Sequence, residues 1–147
     1  MQVFQHKGKS ASATLFVDQS IVCVEVVGAL DRAFAAEFMG PMTHTLGGVA
    51  PLAAVLLYDR AEIKATHWEL FNDLRGMDSV AASAKTPCGI VVAAHGYNEA
   101  KRYCDAQTTC GIWREAFIER AAAVSWAKSI AALRHMQIEH GKCRAKS

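Results

Sequence analysis

The run Leu52-Ala53-Ala54-Val55-Leu56-Leu57-Tyr58, which is followed directly by Asp59, decides the fold of this chain. An unbroken apolar run, without the alternation of a half-exposed strand, is typical of a strand that is covered on both faces. Residues 89–94 form a second run of the same kind. Because helical patterns separate the two runs, we expect a largely parallel sheet between helices, with residues 52–58 near its centre.

The segment before this run has the pattern of a hairpin that leads into a helix. Residues 14–17 and 21–27 are separated by the turn-like trio Asp18-Gln19-Ser20, which predicts two antiparallel strands. Gly28 ends the second strand, and Asp31 is placed to cap a helix. The apolar stripe of that helix, at steps of four residues, consists of Phe34, Phe38, Met42 and Leu46.

The segment after the run alternates helices and strands. Thr66-His67-Trp68-Glu69 fits a capping box, which predicts a helix that begins at Thr66. Residues 113–118 predict a last strand, and residues 119–135 predict a last helix. A further helix is predicted over 97–109, between the second apolar run and this last strand. Its spacing places four residues on one side: Ala100, Tyr103, Cys104 and Gln107.

The predicted order is therefore β-β-α-β-α-β-α-β-α, a single α/β domain with a mostly parallel sheet of four to five strands packed with helices. We place this domain at residues 13–136. Residues 1–12 are expected to be a flexible N-terminal tail, and residues 137–147 a basic C-terminal tail.

Composition excludes several classes of protein. No apolar run in the 147 residues is long enough to cross a bilayer, and the first residues lack the pattern of a secretory signal, so we expect a cytoplasmic protein. The net charge is only +2, and no stretch interleaves basic with aromatic residues, so we predict no nucleic-acid partner. The 26 alanines indicate helices that pack closely on their neighbours.

The cysteines and histidines show no metal pattern. The five cysteines are odd in number and form no Cys-x-x-Cys pair, and the six histidines have no ligand spacing, so we predict no disulfide scaffold, no metal and no cofactor. Two alternatives stay open for Cys104. It could form a redox pair with Cys110, or a thiolate and imidazole pair with His95 in a cysteine-dependent enzyme.

Four segments carry a resemblance to a known family. They are Val26-Val27-Gly28-Ala29-Leu30, Leu56-Leu57-Tyr58-Asp59, Gly89-Ile90-Val91-Val92, and Phe117 followed by Ala123-Val124-Ser125-Trp126-Ala127. In this order they resemble the STAS superfamily, most closely its SpoIIAA-like branch, which is related to bacterial anti-sigma-factor antagonists. The resemblance implies a regulatory protein that binds a protein partner and forms a homodimer. Lipid-carrier domains of similar fold imply a small apolar ligand.

One segment departs from that family. Anti-sigma-factor antagonists place a phosphorylatable Ser or Thr in a glycine-containing turn after the central strand, whereas residues 59–66 contain neither serine nor glycine. Thr66 is the remaining hydroxyl and therefore the candidate phospho-acceptor, although a capping role explains it equally. Asp59 is expected either to accept hydrogen bonds as a cap of the following loop or to pair with Arg60 or Lys64.

The residues together favour a binding module without a catalytic centre, which acts through protein–protein interaction. The alternative is a carrier or sensor of a small apolar or anionic ligand in a pocket between sheet and helices. Open α/β sheets place ligands beyond the carboxyl ends of their strands. The candidate surface there consists of Asp59, Arg60, Thr66, His67, Trp68, His95, Gly96 and Tyr97.

Overall fold

The computed structural model describes residues 2–18, 20–31, 33–34, 37, 51–63, 86–109, 111 and 113–146. Its strands are β1 (Gln2–Lys7), β2 (Ala11–Asp18), β3 (Ile21–Leu30), β4 (Ala53–Leu57), β5 (Ala61–Ile63), β6 (Cys88–Val91) and β7 (Arg114–Phe117). Its described helices are α1 (Tyr97–Thr109), which follows a single 3₁₀ turn at Ala94–Gly96, and α2 (Arg120–Lys146). The predicted helix start at Thr66 and the stripe residues Phe38, Met42 and Leu46 lie outside the described residues.

The strands form one mixed sheet in the order β1-β2-β3-β4-β6-β7, and β5 pairs with the end of β3. The first three strands are antiparallel neighbours, whereas β3, β4, β6 and β7 run parallel to one another. The mostly parallel sheet and the leading hairpin are confirmed. Parallel neighbours require crossover connections, which place the helices on the faces of the sheet.

The sheet is larger than the predicted four to five strands, and both predicted tails are wrong for the residues described. Residues 2–7 form β1 against β2 instead of a flexible tail, with Phe4 packed against the core. Residues 5–7 carry no β-branched side chain, so the strand pattern was weak. Residues 137–146 continue α2, because neither proline nor an αL glycine stops the helix before Lys146.

Strand β4 lies in the middle of the sheet and is buried along its whole length. Ala53, Val55 and Leu57 face one apolar cluster, which α2 completes with Ala123, Ala127, Ile130 and Ala131. The alternate side chains, Ala54 and Leu56, face a second cluster, which α1 completes with Ala100, Tyr103 and Cys104. The predicted central strand with two covered faces is therefore confirmed.

Two local predictions are also confirmed by side-chain geometry. The backbone N–H of Phe34 donates a hydrogen bond of 2.8 Å to Oδ1 of Asp31, which is the expected helix cap. Helix α1 spans Tyr97–Thr109 as predicted, and its buried residues are the four that the spacing placed on one side.

The last two segments of the family resemblance meet in space over Gly89. The rings of Phe117 and Trp126 lie 5.8 Å apart, and Trp126 makes an edge contact with Trp113 at 5.5 Å. A Cβ atom at Gly89 would lie 3.2 Å from Phe117 and 3.4 Å from Trp126. The absence of a side chain at Gly89 therefore leaves room for the two rings on the sheet.

Gly28 is required by the close approach of β2 to β3. Its φ of +105° is in the region that favours glycine, and an added Cβ would lie 2.5 Å from the carbonyl oxygen of Ser10. That carbonyl accepts a hydrogen bond of 2.9 Å from Ala29 N–H, so it cannot move away without loss of the bond.

We expect Gly28→Ala to lower the free energy of unfolding by at least about 2 kcal/mol, because backbone strain adds to a clash with backbone atoms. Chemical denaturation followed by circular dichroism measures the effect. The matched control is Gly96→Ala, since a Cβ at Gly96 meets nothing within 4 Å. Equal stability of the two variants would contradict the assigned role of Gly28.

Candidate functional site

The carboxyl ends of the parallel strands bring three loops side by side. The hydrogen-bond ladder continues past the strands, with Tyr58 N–H donating to Val91 O and Val92 N–H donating to Phe117 O, both at 2.9 Å. Asp59 follows β4, the turn with His95 follows β6, and Arg120 follows β7 at the start of α2. The edge that the sequence analysis selected is therefore built on paired, ordered backbone.

Arg120 is the centre of a charge cluster at this edge. Its Nε donates to both carboxylate oxygens of Asp59, at 3.1 and 2.9 Å, and its Nη1 lies 2.5 Å from the Glu25 carboxylate. The three side chains are between 20% and 32% exposed, so water screens the cluster only in part. Arg120 thereby joins α2 to β3 and to the loop after β4.

The contact between Asp59 and Arg120 shifts the pKa values of both groups in the direction that strengthens it. Burial alone would raise the pKa of Asp59, but the hydrogen bond and charge of Arg120 outweigh burial, and the pKa is lowered. The hydrogen bond that Arg120 donates to Asp59 raises the pKa of Arg120 further. Asp59 and Arg120 are therefore both ionised at neutral pH.

The hydrogen-bonded partner of Asp59 is Arg120 and not Arg60, contrary to the sequence prediction; the charge of the exposed Arg60 makes a smaller contribution to the lowered pKa of Asp59. Lys64, the other predicted partner, lies outside the described residues. Sequence reasoning missed both Glu25 and Arg120. The available signals were an acid within an otherwise apolar strand and a cation at a helix start, where the helix dipole disfavours positive charge.

The other predicted surface residues that the structure describes lie on the segments after β4 and β6 and form no hydrogen bond or ion pair with the cluster. Arg60 and His95 are exposed, whereas Gly96 and Tyr97 are half-buried, and Tyr97 packs against the core. In the part of the chain that the structure describes, no hydrogen bond or ion pair links Asp59 to His95. Thr66, His67 and Trp68 lie outside the described residues, so their place at this edge stays a prediction.

Cys104 is not suited to nucleophilic chemistry. The residue is 1% exposed. Burial raises the pKa of its thiol to about 12, despite the partly compensating charge of Arg114. Such a thiol stays protonated at neutral pH, whereas the thiolate is the nucleophile. The geometry therefore argues against an enzyme that uses Cys104 with His95; the redox pair with Cys110 is untested, because Cys110 lies outside the described residues.

The described residues contain neither a metal-binding cluster nor a membrane-spanning helix. No group of three or more His, Cys, Asp or Glu side chains in these ranges is placed to hold a metal ion. No described helix combines the length and the apolar character that a bilayer crossing needs.

We expect Asp59→Asn to lower the free energy of unfolding at neutral pH by about 1 to 2 kcal/mol, because it removes the charge that balances Arg120. The pKa of Asp59 is lowered in the folded state, so its stabilisation is present above the unfolded-state pKa and is lost as pH falls through the folded-state value. Urea denaturation at several pH values should show the two proteins converging below about pH 4.

The control for this substitution is Asp105→Asn, which removes an exposed carboxylate whose ion pair with Lys101 lies on the surface of α1. We expect a change of less than about 0.5 kcal/mol. A loss at Asp59 that is no larger than the loss at Asp105, or that does not depend on pH, would contradict a stabilising role of the cluster.

Comparisons with known proteins give similarity of structure and not of sequence. No family model and no curated protein matches the sequence. Among solved structures, the chain is similar to an anti-sigma factor antagonist from Mycobacterium paratuberculosis, with a TM-score of 0.54 and 15% identity over 81% of this chain and 95% of that one. It is also similar to an uncharacterized protein with a SpoIIAA-like fold from Shewanella loihica, with a TM-score of 0.55 and 14% identity over 80% of this chain and 93% of that one.

Both similarities extend over about four-fifths of this chain at 14% to 15% sequence identity. Similarity at so low an identity shows the fold and not the function. The predicted resemblance is confirmed at the level of the fold: the chain has a SpoIIAA-like fold.

Proposed function

We propose that this chain is a regulatory module that binds a protein partner through the carboxyl edge of its parallel strands and has no catalytic centre. The observation that carries the proposal is the pair of exposed side chains, Arg60 and His95, on two neighbouring loops that flank the Asp59–Arg120–Glu25 cluster. The similarity to an anti-sigma factor antagonist supports a regulatory role in which one protein binds another.

The rigidity of this edge supports recognition of a protein. Backbone hydrogen bonds continue the ladder to Tyr58 and Val92, and Arg120 holds the loop after β4 against α2. A surface that is ordered before binding loses little conformational entropy when a partner docks. The exposed cation of Arg60 and the imidazole of His95 offer hydrogen-bond donors to that partner.

Three more specific predictions are part of this proposal: phosphorylation of Thr66, a cytoplasmic location and a homodimer. We place Thr66 in it as the candidate phospho-acceptor, because a phosphate there would add negative charge to the segment that follows the central strand and also contains Arg60. A cytoplasmic location and a homodimer also stay predictions.

The alternative function is that of a carrier of a small apolar or anionic ligand. A different region of the molecule favours it, namely the groove at the amino edge of β3 and β4.

Site-specific photo-crosslinking tests which surface meets a partner. A photoreactive amino acid is placed at Arg60 or His95 and, as controls, at the exposed positions Asp105 on α1 and Ser129 on α2. We expect a discrete crosslinked protein from the first two positions in cells that express the chain. Crosslinks to the same protein from the control positions with equal yield would contradict the proposed surface.

The second test measures the affinity of the chain for the crosslinked protein after that protein has been purified. Arg60→Glu and His95→Glu should each weaken the affinity roughly tenfold or more, because charged contacts at the centre of an interface dominate binding. Both side chains are exposed, so neither variant should alter the fold. Asp105→Lys is the control for a change of charge. If all three variants bind equally well, the carboxyl edge is not the interface.

Phosphorylation at Thr66 is tested separately. The purified chain is incubated with ATP and an extract of its own cells, and the modified residue is identified by mass spectrometry, with Thr66→Ala as control. We expect one phosphate that the control lacks. A chain that acquires no phosphate at Thr66 rules out this switch but leaves the proposed binding surface standing, since that surface is tested by crosslinking.

A further inference from the structure

A half-open groove of about 530 Å³ lies at the amino edge of β3 and β4, at the opposite end of the sheet from the Asp59 cluster. Its volume is within the range of small-molecule sites, roughly 300 to 1,000 Å³. The described residues that line it are Asp18, Ser20, Ile21, Leu52, Lys128, Ala131, Ala132 and His135.

One face of α2 forms a wall of the groove. Lys128, Ala131, Ala132 and His135 follow the i, i+3, i+4, i+7 spacing that puts residues on one side of a helix. The two alanines in the middle leave space between helix and sheet, while Lys128 and His135 stand two turns apart at the ends. The result is an elongated groove with a polar group at each end.

The floor of the groove is apolar and held in place. Ile21 and Ala131 are each 8% exposed and belong to the cluster beneath α2, and Leu52 packs against the same cluster. The N–H of Leu52 donates to Ser20 O at 2.7 Å, and its carbonyl accepts a bond of 2.6 Å from Arg134 Nη1. Since both backbone groups of Leu52 are satisfied, the floor needs no rearrangement to receive a ligand.

The charges around the groove favour an anion. Lys128 contributes one cation and Arg134 lies beside the floor as a second, against the single carboxylate of Asp18. Among the described residues, Lys128 makes no ion pair, so its ammonium group is available. An anionic group at Lys128 would gain a charge-assisted hydrogen bond.

We propose that this groove binds a small monoanionic amphiphile, namely a free carboxylic acid with a short aliphatic chain. The carboxylate lies at Lys128, and the chain covers Ile21, Leu52 and Ala131. This site is independent of the proposed protein-binding edge, because it uses the other end of the sheet and a different stretch of α2.

Isothermal titration calorimetry with sodium octanoate tests the proposal on the full chain. Octanoate should bind in a single-site mode in the submillimolar range. Octylammonium, which has the same chain with the opposite charge, should bind at least roughly tenfold more weakly, because it loses the contact with Lys128. Equal affinity for the two amphiphiles, or no binding of octanoate at millimolar concentration, would overturn the proposal.

Variants locate the site. Ala132→Trp fills the groove from an exposed position, and Lys128→Glu reverses the charge at its end; each should weaken octanoate binding at least roughly tenfold. The matched controls are Ala122→Trp, at an exposed alanine of α2 outside the groove, and Lys101→Glu on α1. Circular dichroism confirms that each variant is folded. Octanoate binding that the groove variants leave unchanged would place the ligand elsewhere and overturn the proposal.

A last arm separates a free carboxylic acid from an anionic membrane surface. The chain is sedimented with vesicles of phosphatidylcholine that contain phosphatidylglycerol, with and without octanoate. We expect the chain to stay in the supernatant. Vesicle binding that requires Lys128, in a chain that shows no octanoate binding in calorimetry, would assign the groove to a lipid surface instead.

Discussion

The burial of β4 on both faces is the constraint on which the rest of the structure depends. A strand without a polar face cannot lie at a solvated surface, so a layer of helix must cover each side. Helix α2 covers Ala53, Val55 and Leu57, and α1 helps to cover Ala54 and Leu56. The parallel neighbours β3 and β6 then fix which loops emerge at each edge, and this places the candidate site at one edge and the groove at the other.

Helix α2 begins at the edge with Asp59 and also lines the groove at the opposite edge. Different interactions fix the helix at successive points along its length. At its start, Arg120 carries a charge that the helix dipole disfavours, and the carboxylates of Asp59 and Glu25 offset that cost. About one and two turns further along, Ala123 and Ala127 are fully buried and let the helix lie close to the sheet. Further along, Arg134 bonds to the carbonyl of Leu52. Polar anchors therefore orient a helix whose apolar contact is made of small side chains.

The sequence predicts those features that depend on residues close to one another along the chain. The apolar run at 52–58, the cap at Asp31 and the helix at 97–109 follow from local periodicity and local hydrogen bonding, and the structure confirms them. The pairing of Asp59 with Arg120 could not be predicted, because 61 residues separate the two and only the parallel order of the strands brings them together. Strand β1 was missed for the same reason, since its stability comes from pairing with β2 and from packing of Phe4.

The interior of the described fold explains why function is better sought at the edges than between the layers. Both faces of the central sheet are lined mainly by apolar side chains, aliphatic and aromatic, and the thiol of Cys104 is held protonated on one of these faces. An ionised group placed there would lose its hydration without a partner. The ionised side chains described above, such as Asp59, Arg120 and Lys128, lie instead where strands begin or end. The polar side chains that could contact another molecule therefore lie at the two edges of the sheet and along α2.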